Sequence, residues 1–201
     1  RAAQPREIMV SDGGSRDGTV EVATRQGARV VCGERGRARQ MNAAARMASA
    51  EHLLFLHADT LPPVDFARLA ADCLAAPGVA AGAFHFKLSE PLPLRGVIER
   101  LVAARCRLRQ MPYGDQGLFL RRRLFEALGG FSDLPILEGV ELVRTLRRAG
   151  RVVTLPQAAA TSARRWQRGG VWRTFLRHQL ILCGHACGIA PASLARLRSV
   201  E

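Results

Sequence analysis

His57 and Asp59 stand two residues apart at the end of the apolar run Leu53-Leu54-Phe55-Leu56, just before Leu61-Pro62-Pro63. A short apolar run bounded by turn residues reads as a strand of a covered sheet. On a strand, residues two apart face the same side, and open α/β sheets bind ligands beyond the carboxyl ends of their strands. An imidazole and a carboxylate there could hold a ligand or a metal ion. The bland alternative is an aspartate capping the next turn beside a satisfied, half-buried histidine. Asp12 ends another short apolar run, Glu7 to Ser11, so two strands deliver an acid to one edge. Gly13-Gly14 after it lets the backbone turn tightly and approach a ligand. Asp17 reads equally as a ligand-facing acid and as a helix N-cap.

The elements that would position these residues follow from periodicity and turn chemistry. Glu7 to Ser11, Ala28 to Cys32 and Leu53 to Leu56 read as strands. Between and after them, Asp17 to Gln26, Arg37 to Ser49 and Val64 to Ala76 read as helices. This alternation predicts a parallel sheet with covering helices. Further on, Val79 to Leu88 reads as a strand and Leu94 to Arg109 as a basic amphipathic helix. Pro112 to Gly117 is a loop, Leu118 to Leu120 a strand and Leu124 to Leu128 a short helix. Glu138 to Ala149 is a helix, Val152 to Leu155 a strand, and Val171 to Ile189 an apolar helical stretch behind Arg164, Arg165 and Arg168.

At 201 residues and 48% hydrophobic composition the chain is expected to be one globular domain. No apolar run approaches the roughly 20 residues that span a bilayer. The chain opens Arg1-Ala2-Ala3-Gln4 with neither an initiator Met nor an apolar h-region, so no signal peptide is expected. The net charge is +13 and Lys87 is the only lysine, so arginine carries the charge. Arginine forks bind two phosphate oxygens at once, which points to a phosphate-bearing partner; an arginine-rich solvated surface is the plain alternative. Nucleic acid is not the expected partner, because aromatics are 5% of the chain and no recognition motif accompanies the charge. Five scattered cysteines fit a reducing, cytoplasmic compartment. Cys183-Gly-His185-Ala-Cys187 does not put its three ligand types on one helical face, so packed thiols are expected there rather than a metal site.

Gly33-Glu34-Arg35-Gly36-Arg37-Ala38-Arg39-Gln40-Met41-Asn42 places glycines and arginines at a helix N-terminus. Free N–H groups and the helix dipole favour an anion there. Arginines oppose that dipole, and a bound diphosphate would account for them. The pattern is neither Gly-x-Gly-x-x-Gly nor a Walker loop.

Five motifs in order carry a resemblance: Val10 to Thr19, Gly36 to Asn42, Leu54 to Thr60, Pro112 to Gln116, and Ser162 to Trp166. Together they resemble a family 2 glycosyltransferase of the GT-A fold, and most closely the small bacterial subgroup labelled "transferase 2, radical-SAM/selenodomain-associated". The resemblance implies an α/β fold, a nucleotide-diphospho-sugar transferase with a Rossmann-like mixed sheet and helices on both faces. It implies a UDP- or GDP-sugar donor and a divalent metal, Mn²⁺ or Mg²⁺. Asp12, Gly13 and Asp17 would lie at the nucleoside, with Arg37, Arg39 and Asn42 along the nucleotide cleft. Asp59 would be the retained acid of the family's Asp-x-Asp motif, with His57 where the first acid stands. Gly114, Asp115 and Gln116 would face acceptor and sugar, and Arg165-Trp166 would close over diphosphate and acceptor. Residues 1–163 would form the transferase domain and 164–201 a basic, amphipathic helical segment of the same domain.

Two departures bear on function. The family opens with a strand ending in an Asn-Glu turn, and nothing before Glu7 reads as that strand, which leaves an open sheet position beside the first strand. The family also has Glu-Asp where this chain has Glu138-Gly139, and that aspartate is the expected general base of an inverting transfer. Glu138, Glu141 and Asp115 are the carboxylates that could replace it. The alternative to an enzyme is a degenerate, non-catalytic nucleotide-sugar-binding module. The basic-then-apolar C-terminal stretch fits docking on an anionic membrane, at the inner face of the plasma membrane, with a lipid-linked or hydrophobic acceptor. A core helix with a charged outer face fits the same pattern.

Overall fold

The computed structural model describes residues 5–197; residues 198–201 of the expected C-terminal segment lie outside them. Strand β1 (Met9–Asp12), helix α1 (Thr19–Arg25) and strand β2 (Arg29–Cys32) form a parallel β-α-β unit, with Met9 opposite Arg29 and Asp12 opposite Cys32. Helix α2 (Arg37–Met47) follows, with Gly36 in the positive-φ conformation that lets the chain turn into it. Strand β3 (His52–Phe55), the two-residue strand β4 (Thr60–Leu61), helix α3 (Phe66–Ala75) and strand β5 (Val79–Leu88) come next. The second half runs through α4 (Arg95–Arg109), a 3-10 turn at Gly114–Gln116, β6 (Leu118–Arg121), α5 (Arg122–Ala127), α6 (Glu138–Ala149) and β7 (Arg151–Thr161). Three helices close it: α7 (Arg164–Gly169), α8 (Val171–Ala186) and α9 (Pro191–Ala195).

The larger sheet has the order β3-β6-β5-β7-β4. It is mixed: β6 is antiparallel to both β3 and β5, β5 and β7 are parallel, and β4 is antiparallel to β7. Strand β6 shows how the layers form. Leu118 and Leu120 point to the cluster under α2, α5 and α6, while Phe119 points to the cluster under α3, as period-two alternation requires. Helices therefore cover both faces, and the central strand β5 is buried along nearly its whole length.

The structure corrects the sequence reading in three places. The first 80 residues do not make one parallel sheet: among the described residues β1 and β2 pair only with each other, and β3 joins the larger sheet antiparallel to β6. Among the described residues no strand pairs with the other edge of β1. His57 and Asp59 are not on a strand, because β3 ends at Phe55, where its pairing with Leu118 stops. They lie in the turn before β4, an element the sequence reading treated as the end of a strand. Finally, β7 runs on through Pro156 to Thr161. Its register against β5 shifts, with Ala83 opposite Thr154 and His85 opposite Ala158. The extra residues form a bulge, where a proline without an N–H interrupts no ladder bond.

Candidate functional site

The turn between β3 and β4 is clipped to the end of β7. Thr60 donates its N–H to the His57 carbonyl at 3.1 Å, Ser162 donates to the Asp59 carbonyl at 3.0 Å, and the Thr60 and Thr161 hydroxyls meet at 2.9 Å. Asp59 is exposed, and no side chain of the described residues hydrogen-bonds its carboxylate. His57 is half-buried against Gly114. A Cβ at position 114 would sit 2.6 Å from His57 Nε2, so glycine is what permits the contact.

That contact brings the 3-10 turn into the site. Gln116 anchors the turn from inside: it is almost fully buried, its amide donates to the Phe84 carbonyl at 2.9 Å, and its oxygen accepts from the Tyr113 N–H and from Arg105. Both its amide nitrogen and its oxygen bond internally and the side chain is buried, so Gln116 does not face acceptor or sugar as expected. Asp115, its neighbour, has a buried Oδ1 with no hydrogen-bond partner. Burial pushes its carboxyl above the usual range; Arg105 and Arg165 oppose that shift and the nearby Asp59 adds to it. Arg105 also lies over the Tyr113 ring, 3.6 Å from its centroid, and donates to the Met111 carbonyl. Sequence reading placed Arg105 only within a basic helix; nothing in its spacing marked it as the arginine that turns inward.

Helix α7 supplies Arg165. Glu90 fixes the start of that helix, accepting from the Ala163 N–H at 2.6 Å and the Ser162 hydroxyl at 3.0 Å. These bonds hold the Glu90 carboxyl below its usual range, the Ala163 N–H contributing most. Trp166 packs with Phe86, Leu88 and Ile98 and meets His178 edge-on at 5.6 Å. It serves as a packing residue beneath α7, while Arg165 is exposed beside Asp115.

On the N-terminal side, Asp12 is buried and accepts from the Gly14 and Ser15 N–H groups at 2.8 and 2.9 Å and from the Ser15 hydroxyl. These bonds, the hydroxyl first, hold its carboxyl below the usual range. Asp17 likewise bonds Thr19 at the start of α1. A Cβ on Gly13 would lie 3.1 Å from the Gln40 amide, and the Gly13 carbonyl accepts from Arg35 at 3.2 Å. Gln40 and Arg35, both missed as site residues, thus shape the loop after β1. Arg39 pairs with Asp133 at 2.8 Å and with Glu34 at 2.6 Å. Asn42 exchanges two hydrogen bonds with the Phe131 backbone, at 2.8 and 2.9 Å. Both side chains tie α2 to neighbouring loops.

The start of α6 holds the other two acids. Glu138 is buried and paired with Arg37 at 3.1 Å, which joins the N-terminal turns of α2 and α6. Glu141 bonds Arg144 and His185, each at 2.6 Å. Burial pushes its carboxyl up, but the bonds from His185 and Arg144 outweigh this and hold it low. Between them Gly139 is open: a Cβ there would meet no atom within 4 Å.

The structure therefore gathers His57, Asp59, Gly114, Asp115 and Arg165 in one place. Glu138 and Glu141 stand on a separate helix, each committed to an ion pair. Among the described residues no three of His, Cys, Asp and Glu converge to hold a metal unaided; this includes the cysteines flanking His185. A free carboxylate, an imidazole and an orphaned buried carboxyl oxygen do fit an ion that takes its remaining ligands from a diphosphate. An oxygen-and-imidazole donor set suits Mn²⁺ better than Mg²⁺.

A mixed sheet covered on both faces matches the GT-A fold of solved glycosyltransferases. The chain belongs to glycosyl transferase family 2, whose model matches residues 2–129. Solved structures agree on the fold. A mannosyltransferase from Pyrobaculum calidifontis, in complex with GDP-Man and Mn²⁺, is similar at 22% identity and a TM-score of 0.61, over 96% of this chain and 59% of that one. Glucosyl-3-phosphoglycerate synthase from Mycobacterium tuberculosis, in complex with phosphoglyceric acid, is similar at 21% identity and a TM-score of 0.58, over 89% of this chain and 69% of that one. S. aureus TarS in complex with UDP is similar at 16% identity and a TM-score of 0.59, over 78% of this chain and 51% of that one. The chain thus spans 59% of the mannosyltransferase and about half of TarS. Among curated protein sequences nothing matches.

Proposed function

We propose that the chain transfers a sugar from a UDP- or GDP-sugar to an acceptor hydroxyl, with inversion at the anomeric carbon. The observation that carries this reading is the convergence of Asp59, Asp115 and Arg165 around His57 and Gly114, with Asp59 free and Asp115 holding an unpartnered oxygen. The family membership and the nucleotide-sugar complexes among similar structures support the donor class. In this reading Arg165 binds the donor's diphosphate. The loop of Asp12, Gly13 and Asp17, with Arg35 and Arg37, receives the nucleoside, while Arg39 and Asn42 brace α2 behind it. Asp59 and His57 would hold a divalent ion, which when bound offsets charge developing on the leaving nucleotide. A histidine in place of the motif's first acid also supports the bacterial subgroup named above.

The acceptor hydroxyl attacks the anomeric carbon as the nucleoside diphosphate leaves, and its proton must go to a carboxylate. Glu138 and Glu141 are spoken for by Arg37, Arg144 and His185. In this reading the proton goes to Asp115, the remaining carboxylate near Asp59 and Arg165. With Gly139 at the family's base position, transfer is expected to be slow, since a general base contributes about 10²–10⁴ in rate. The same two observations favour a second reading, a donor-binding module without turnover. Calorimetric titration with UDP- and GDP-sugars and Mn²⁺, run beside a donor-hydrolysis assay, separates them. Binding with turnover supports the enzyme, binding alone the module, and no binding removes the site assignment. A lipid-linked or hydrophobic acceptor belongs to the first reading, supported by the basic-then-apolar C-terminal helices.

A further inference from the structure

Helix α4 carries an apolar stripe that none of the described residues covers. Its inner side, Ile98 and Cys106, is buried, but Leu94, Val97, Leu101 and Leu108 are exposed, Leu108 to 77%. Their spacing of three, four and seven residues puts them on one face. Arg100 and Arg107 border that face on one side and Arg109 on the other, and none has an ion-pair partner among the described residues. The helix's one acid, Glu99, is half-buried and spent on Arg95 and the Leu88 N–H.

Helix α8 repeats the arrangement. Ile181 packs inward with Ile136 and Leu194, while Trp172, Leu176 and Leu180 are exposed to 65%, 57% and 63%. These three are four residues apart and share a face, with exposed Arg173 at its edge. From Arg164 to Leu197 there is no acidic residue.

The two helices flank the same loop. Ile98 and Val102 of α4 share a cluster with Trp166 and with Val171 at the start of α8. Farther along, Arg105 of α4 stacks on Tyr113, and Arg144, which lies near enough to act on the Tyr113 hydroxyl, shares the Glu141 carboxylate with His185 of α8. The loop they enclose is the one that delivers Gly114 and Asp115.

We propose that α4 and α8 together dock the protein on an anionic lipid bilayer, with the Gly114–Asp115 side of the site facing the membrane. The charge complementarity selects this occupant. Two leucine-rich stripes, each edged by exposed arginine and without a free acid among the described residues, match an interface of acyl chains below and anionic headgroups around. A second copy of the chain would place the same arginine rims against each other. No described helix is long and apolar enough to cross a membrane, so contact would be peripheral. The inference bears on the acceptor of the proposed reaction but is measured without donor or turnover, so either can fail alone.

The test is flotation of the purified chain with vesicles of phosphatidylcholine and phosphatidylglycerol, against pure phosphatidylcholine. The chain should float with the anionic vesicles only, and less as salt rises. Leu101→Glu with Leu108→Glu, and separately Leu176→Glu with Leu180→Glu, should each abolish flotation while circular dichroism stays unchanged. Arg100→Gln and Arg107→Gln, which touch no packing, should weaken partitioning about fivefold each. Absence of flotation with anionic vesicles overturns the proposal, as does flotation that survives both leucine pairs. Concentration-dependent self-association that the leucine variants abolish, without flotation, overturns it in favour of an interface between copies.

Discussion

Asp115 carries a cost that a purely structural residue would not. Its carboxyl is buried, one oxygen has no partner, and the charged form is disfavoured despite Arg105 and Arg165. A pKa raised by folding means the protonated form is favoured in the native state. That contribution is fully present below the ordinary carboxylate range and is lost as pH rises through the raised value. Asp115→Asn should therefore raise the melting temperature at neutral and alkaline pH, with the gain vanishing at acid pH. Thermal melts of both proteins across pH check this, and a pH-independent difference would contradict it. Stability given up at a site for chemistry is a recurring exchange. Gly139 is the converse case, a position where a side chain is missing. A Cβ has open space there, so Gly139→Asp should fold normally and raise turnover by up to about 10²–10⁴. An unchanged rate would show that position 139 is not the vacant base.

Single side chains also set how the elements meet. Asn42 exchanges two hydrogen bonds with Phe131, and the ring of Phe131 packs on Phe55 and Phe125. Asn42→Ala leaves buried backbone groups unpaired and should cost about 1–3 kcal/mol. Denaturant unfolding should show the loss, with donor affinity little changed in calorimetry; the opposite pattern would return Asn42 to the nucleotide cleft. Glu90 plays a matching role for α7, and Glu90→Ala should loosen the helix that presents Arg165. The sequence made the regular elements plain. Val79–Leu88 and Glu138–Ala149 could be bounded to the residue because turn residues close each of them. It could not show that β3 stops at Phe55, since Leu56 is as apolar as its predecessors and only the end of pairing with β6 stops the strand. Nor could it reveal Glu90 and Arg105, or that Gln116 turns inward, because these side chains bond partners as far as 11, 32 and 73 residues away along the chain.

Across the molecule, the motifs that identify the family are spread from Val10 to Trp166, and the fold folds them toward one edge. The order β3-β6-β5-β7-β4 carries the ends of β3 and β7 and the turn before β6 to the same region. This assembly was legible as a resemblance, because five short motifs in order are specific even when each is modest. The +13 charge was equally visible, but its meaning was not. Only the structure separates arginines committed to Glu138, Asp133 or Glu34 from those rimming exposed leucine on α4 and α8. The split between β1-β2 and the larger sheet leaves the loop of Asp12 less supported than the turn of Asp59. Removal of metal is accordingly expected to weaken donor binding more than it weakens the fold, and melts with and without chelator should coincide when no donor is present.

Asp59 is the residue on which donor binding depends most directly in the proposed site. Titration of UDP- and GDP-sugars in the presence of Mn²⁺ should show saturable binding to the wild-type chain by at least one donor. That binding should disappear in Asp59→Ala, whose exposed carboxylate supports no internal hydrogen bond, so the melting temperature should not change. Wild-type donor affinity in Asp59→Ala would contradict the placement of the site in the turn between β3 and β4.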